Sequence, residues 1–206
     1  MHIDPAEHSS SANYKLLTNV VVPRPIAWVT SVSPAGVVNL APFSFFNAIG
    51  SDPLLIMISV AHNPDGSLKH TGRNIVANGE FVVNLVTEEL LPAMNLSAAD
   101  FPDDASELEA AGLAAAPSLC IGVPRVAAAK AALECRLHST LPFGNYSVLV
   151  GEVVMFHVAD EYMGDNLRMH DFTPVGRMGS PAWYCRTGDR MEVPRMTYTQ
   201  WQDEQD

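Results

Sequence analysis

Ala127-Ala128-Ala129-Lys130-Ala131-Ala132-Leu133-Glu134-Cys135-Arg136-Leu137 is the stretch on which the fold turns. Alanine, lysine, leucine and glutamate are strong helix formers, so propensity alone makes it a helix. Its hydropathy says otherwise. Ala131, Leu133, Cys135 and Leu137 alternate with Ala132, Glu134, Arg136 and His138, a period of two that belongs to a strand. The period is the deciding signal, and the segment reads as a strand. Ser147 to Val158 then reads as a second long strand, with Gly151 at a bulge.

The first half of the chain extends this pattern. Pro25 to Val32 is β-rich and ends at Ser33-Pro34-Ala35-Gly36, whose Pro and Gly suit the second and fourth places of a type I turn. The chain returns through Val37 to Ala41, which makes a hairpin. Leu54 to Val60 is continuously apolar, as expected of a strand covered on both faces, and Phe81 to Val86 is another strand. Between them Ser67 to Ala77 reads as a short helix, with Ser67 as N-cap and Asn78-Gly79 as its stop. Thr87-Glu88-Glu89 opens a further helix, and Ser106 to Ala111 gives one that Gly112 ends. Short strands are expected around Trp183-Tyr184. Many strands and few helices in one domain point to a mainly β protein, a closed barrel with a few helical insertions.

Composition narrows the function. The 206 residues are 48% hydrophobic and 17% charged, which excludes a disordered or fibrous chain. Lys+Arg is 12 against Asp+Glu 23, a net charge of −11. So acidic a chain is not expected to bind nucleic acid or an anionic membrane, whose affinity comes from basic patches. No apolar run of about 18 residues occurs, so no membrane-spanning helix is expected. The first eleven residues lack the basic and apolar regions of a signal peptide. Residues 1–13 read as a flexible, solvated arm and 196–206 as an acidic tail. Cys120, Cys135 and Cys185 are odd in number and lack C-x-x-C spacing, which argues for a reducing compartment and against structural zinc. The expected location is the cytoplasm.

No G-x-G-x-x-G, P-loop, H-E-x-x-H or G-x-S-x-G motif is present. His62 and His70 share their spacing with no carboxylate or cysteine, so no metal site is expected. Two segments carry chemistry. Asn39-Leu40-Ala41-Pro42-Phe43-Ser44-Phe45-Phe46-Asn47 interleaves hydrogen-bonding groups with aromatic rings, a mixture that suits a flat heterocycle and equally an aromatic corner with turn-making Asn and Ser. Ser67-Leu68-Lys69-His70-Thr71-Gly72-Arg73-Asn74 gathers an ammonium, a hydroxyl and free amides at a helix start, which suits a phosphate and equally a capped, solvated helix.

The order of motifs resembles one family. Pro23-Arg24-Pro25-Ile26-Ala27-Trp28-Val29-Thr30-Ser31, then Gly36, Asn39-Leu40-Ala41-Pro42-Phe43-Ser44, Asp52-Pro53, Lys69-x-Thr71-x-x-Asn74-Ile75 and Gly79-Glu80-Phe81-Val82-Val83-Asn84 are similar to the flavin reductase-like, FMN-binding split-barrel family, flavoredoxin-type proteins included. Leu133-Glu134-Cys135, Gly151-Glu152-Val153, Arg177-x-Gly179 and Tyr184 resemble its second half, so the likeness spans residues 14–195 as one domain. It implies a Greek-key split β-barrel with one FMN per subunit, held at the interface of a homodimer. Trp28, Thr30, Ser31, Asn39, Ala41, Ser44, Phe45, Phe46 and Asn47 would line the flavin and ribityl chain. Lys69, Thr71 and Asn74 match the phosphate-side motif, with Arg177 a further cofactor contact. The family's Lys-Asp-Thr is Lys69-His70-Thr71 here, and a His adds positive charge near an anion.

The implied reaction is hydride transfer from NADH or NADPH to the flavin, with electrons passed on to oxygen, free flavin or an acceptor protein. The flavin carries the redox chemistry, so no side chain is named as catalytic. An FMN electron carrier reduced by a partner protein, or a non-redox flavin binder, are the alternative readings.

Overall fold

The computed structural model describes residues 1–205. A 3-10 turn (Pro5–Glu7) and helix α1 (Ser10–Val20) come first. Ser9 caps α1 by accepting from the Ala12 amide at 3.2 Å, so helix begins inside the stretch read as an arm, although α1 buries only Thr18. The main body is built from β1 (Ala27–Val32), β2 (Val38–Phe43), β3 (Phe46–Ser51), β4 (Leu54–Ala61), α2 (His70–Asn78) and β5 (Glu80–Asn84). It continues through α3 (Leu91–Leu96), α4 (Glu107–Ala110), the short strands β6 (Ala115–Ala116) and β7 (Arg125–Val126), and the long strands β8 (Ala131–Phe143) and β9 (Tyr146–Val158). β10 (Val175–Arg177), β11 (Tyr184–Arg186) and α5 (Tyr198–Asp203) follow. α5 lies within the expected acidic tail and is closed by a Thr197–Gln200 capping box.

Seven strands form one antiparallel sheet in the order β2-β1-β5-β8-β9-β4-β3. Its two edges, β2 and β3, are consecutive in the chain and joined only by Ser44 and Phe45. A sheet whose edges are two residues apart must curl on itself, and the result is a barrel, as expected. The Ser59 amide donates to the Phe45 carbonyl at 2.8 Å and fixes that corner on β4.

The barrel interior holds Val29, Ile58, Val60, Phe81, Val83, Cys135 and Leu149. Burial pushes the Cys135 thiol pKa up, which marks it as an inert packing group. A second core lies outside the barrel, where Trp28, Leu40, Val86, Met94 and Leu108 pack under α3 and α4. β1 feeds both cores from its alternate faces and is covered on both sides.

β8 confirms the alternation reading, and the residues up to Lys130 stay outside the strand. Three expectations need correction. β4 is not covered on both faces: Ile56, Ile58 and Val60 are buried, while the alternate residues Leu55, Met57, Ser59 and Ala61 are only half-buried. Ser67 does not cap α2, because its amide and hydroxyl are taken by Asp65 Oδ1 at 2.9 and 2.6 Å; Lys69 stands at the N-cap instead. Gly151 is not a bulge. A Cβ there would lie 2.4 Å from Phe81 Cζ, and the register shift beside it falls on the partner strand, between Leu137 and Ser139. The α2 stop is as read, with Gly79 left-handed at φ 73°.

Candidate functional site

A cavity of about 650 Å³ opens where β2, the start of α2 and the segment after α3 meet. The two-residue period of β2 sends Asn39, Ala41 and Phe43 to the same side, and all three line the cavity. Lys69, His70 and Thr71 form a second wall, Ser97 to Phe101 a third, and Pro42, residues 61–64 and Glu107 complete the lining.

Neutral, buried hydrogen bonds seat α2 against the barrel. Asn39 Nδ2 donates to Thr71 Oγ1 at 2.9 Å, and Asn74 Nδ2 donates to Ser31 Oγ at 3.3 Å. Asn84 Nδ2 donates to the Trp28 carbonyl at 2.9 Å and to Thr30 Oγ1 at 3.3 Å, which ties β5 to β1. The first intrahelical bond of α2 runs from the Arg73 amide to the Lys69 carbonyl, and no side chain caps the start. The amides of His70, Thr71 and Gly72 therefore stand ahead of the helix's own bonds, at its positive end.

Charges cluster around this helix start. Lys69 Nζ lies 3.4 Å from Asp100 Oδ1, His70 Nε2 2.5 Å from Asp103 Oδ1, and Arg73 Nη2 2.9 Å from Asp103 Oδ2. Glu107, 4% exposed, accepts from the Leu40 amide at 2.9 Å. Burial pushes its carboxyl above the usual range despite that bond. His62 Nε2 meets Ser147 Oγ at 2.8 Å.

Of the residues singled out from the sequence, Asn39, Ala41, Lys69 and Thr71 line the cavity. Trp28, Thr30, Ser31 and Asn74 are buried behind its wall, and Trp28 donates from Nε1 to Ser97 Oγ at 2.8 Å. Ser44, Phe45, Phe46 and Asn47 occupy the corner that continues β2. Ser44 Oγ accepts from Arg24 Nε at 3.3 Å, and the Phe45 ring lies 6.2 Å from Tyr14 and 6.0 Å from Tyr146. Phe46 packs on the barrel interior, while Asn47 is exposed with its Oδ1 on the Ala48 amide at 2.9 Å. Arg177 pairs with Arg24 through both backbones, stacks 4.7 Å over Tyr184 and keeps its buried Nη1 without a hydrogen-bond partner. Arg24 itself is buried on carbonyls of Thr18, Val21 and Met178, and burial lowers its pKa.

His62, Asn63, the Ser97–Phe101 segment and Glu107 were not legible as site residues. One signal touches Ser97–Phe101 and Glu107: no Lys or Arg occurs between Arg73 and Arg125, and the acidic Asp100–Asp104 stretch falls in that gap.

The model for the flavin reductase-like domain matches residues 20–186. Among solved structures, nitrilotriacetate monooxygenase component B from Bacillus cereus is 38% identical, with a TM-score of 0.90 over 94% of this chain and 98% of that one. The 2-nitrobenzoate 2-nitroreductase NbaA of Pseudomonas fluorescens is 39% identical, with a TM-score of 0.88 over 96% and 98%. A putative flavin reductase with a split barrel domain from Shewanella frigidimarina shares the fold at 18% identity, TM-score 0.82, over 95% and 100%. No helix among the described residues is long and apolar enough to cross a membrane.

Proposed function

The chain belongs to the flavin reductase-like domain family, and from that premise we propose that it is an oxidoreductase that binds FMN and accepts hydride from NADH or NADPH. The observation that carries the reading is the pairing of one cavity's walls. An ammonium (Lys69), a buried hydroxyl (Thr71) and an uncapped helix start face a β2 wall of Asn39, Ala41 and Phe43 that runs on into the aromatic corner. That donor set fits a phosphate monoester at the α2 end, and the aromatic corner suits a flat ring system at the other.

Bound flavin supplies the hydride-accepting ring. The chain's own residues bind and orient it. Lys69 and the α2 amides would hold the phosphate, Asn39 keeps the Thr71 hydroxyl turned to a fixed position, and the Ser97–Phe101 segment walls the cavity on its third side. The cavity opens to solvent, so a nicotinamide can reach a ring face without a dinucleotide fold of its own.

Anaerobic addition of NADH or NADPH to the FMN-loaded protein tests this. Loss of the oxidised-flavin absorbance with either nucleotide supports it, whereas reduction by neither leaves the carrier or the non-redox reading. We also propose a homodimer in the cytoplasm, a reducing compartment. Ile49, Leu54, Phe143 and Phe156 are large apolar side chains exposed on β3, β4, β8 and β9, and the three cysteines are free thiols. Light scattering at micromolar concentration with FMN present should give twice the chain mass. A monomeric mass would refute it.

A further inference from the structure

Two cations, Lys69 and Arg73, and one imidazole, His70, stand at the start of α2, and a single acidic loop answers all three. Asp100 meets Lys69, and Asp103 meets both His70 and Arg73. That loop is fastened at its ends. Ser97 Oγ accepts from Trp28 Nε1 at 2.8 Å and donates to the Met94 carbonyl at 2.8 Å. At the other end Ser106 Oγ donates to the Val38 carbonyl at 2.6 Å, and Glu107 accepts from the Leu40 amide at 2.9 Å. Between those fastenings, residues 98–104 are exposed apart from the half-buried Phe101.

The Lys69–Asp100 pair is the weak member. Its atoms are 3.4 Å apart and its side chains are 47% and 96% exposed, so solvent screens it. Lys69 and Asp100 both line the cavity, so the pair lies on the cavity wall and not on a remote surface.

We infer that Asp100 is a built-in competitor for the phosphate of the flavin, setting how strongly the site prefers a phosphorylated flavin to riboflavin. The inference rests on the flavin reading above. With no anion present, Asp100 neutralises Lys69. A phosphate monoester dianion takes the ammonium over, because it brings more charge and adds bonds to the α2 amides. Asp100 is then left beside a like charge and turns out to solvent, which its exposed stretch of chain permits. Asp103 keeps its hold on Arg73 and His70. Each binding event thus breaks one ion pair, and the phosphate's gain is reduced by that amount.

The test is a fluorescence-quenching titration of the full chain with FMN and with riboflavin, for wild type, Asp100→Asn and Asp104→Asn. Asp104 carries the same charge in the same loop and forms no ion pair among the described residues. Asp100→Asn should bind FMN about two- to fivefold more tightly, the scale of one exposed pair, with riboflavin unchanged and Asp104→Asn matching wild type. Unchanged or weaker FMN binding in Asp100→Asn overturns the inference, since Asp100 would then be solvated or would position the loop. Equal tightening by Asp104→Asn also overturns it, in favour of a general field effect. A wild type that binds riboflavin and FMN equally places the phosphate away from Lys69 and removes the competition while leaving the flavin reading intact. A wild type that binds neither flavin brings down both.

Discussion

Two loops of this molecule are each held by a buried glutamate, and the two carboxylates are treated in opposite ways. Glu134 on β8 is fully buried under residues 118–123. It accepts from the Leu119 and Cys120 amides at 2.7 Å each and meets His157 Nε2 at 2.5 Å. Glu80 takes the Gly122 amide at 2.8 Å, and Arg136 donates to the Cys120 carbonyl at 3.0 Å. Burial alone would push the Glu134 carboxyl up, but the bonds from His157, Leu119 and Cys120 outweigh it and hold the pKa below the usual range. Glu107, beside the cavity on α4, is also buried but forms no ion pair among the described residues, taking the Leu40 amide of β2, and desolvation keeps its pKa raised. Where the donors are complete the loop is fastened. Where they are fewer, the loop is still held, but burial prevails and disfavours the charged carboxylate.

The sharpest way to break this contrast is to remove Glu134. Glu134→Ala strands two amides and a histidine in a dry site, and urea unfolding should show a loss of about 3–5 kcal/mol. A loss below about 1 kcal/mol would show that Glu80 and Arg136 hold the loop unaided. Lys69→Met comes next and acts on binding. FMN should weaken by about 1.5–3 kcal/mol, the worth of a charge-assisted bond, with riboflavin hardly affected. Equal losses for both flavins would put Lys69 in the fold and not in the phosphate seat.

Glu107→Gln has the smallest effect, a gain of about 1 kcal/mol at pH 7.5, because the amide oxygen still accepts from Leu40 without a buried charge. Its pH dependence sharpens the comparison. A raised native pKa favours the folded state below the unfolded value of about 4.3 and loses that advantage as pH rises through the native value. The gain from Glu107→Gln should therefore vanish in thermal melts taken toward pH 4. Glu134 has a lowered native pKa, so its contribution is present above about pH 4.3 and fades as pH falls through the native value. The penalty of Glu134→Gln should shrink over that range. Parallel trends for the two variants would end the contrast.

The same two glutamates show what could be read in advance. The alternation that sets Glu134 on the face of β8 opposite Leu133 and Cys135 is legible, because it is written into neighbouring residues. The burial of Glu134 was not legible, because the covering amides come from Leu119 and Cys120, and only the fold brings that loop over β8. The cavity divides along the same line. Asn39, Ala41, Lys69 and Thr71 sit in compact motifs whose chemistry shows locally. Ser97 to Phe101 and Glu107 become a wall only when α3 and α4 fold over β2, and His62 joins them from the end of β4. Ser67 misled for a related reason: a good capping residue was present, but Asp65, two places earlier, claimed its hydroxyl.

The two-residue corner at Ser44–Phe45 also has a kinetic consequence. It makes barrel closure a short-range event, since it joins the β1–β2 and β3–β4 hairpins directly, and β8–β9 is a third hairpin with an equally short link. The distant pairings are those of β5 with β1 and β8, where Trp28 meets Asn84 and Glu80 meets Arg136, and of β4 with β9, where Leu55 meets Glu152. Loop-closure entropy opposes these contacts until much of the chain is already ordered, so they govern the folding rate. The search that limits folding is for these three seams, and the edge-to-edge corner contributes almost nothing to it.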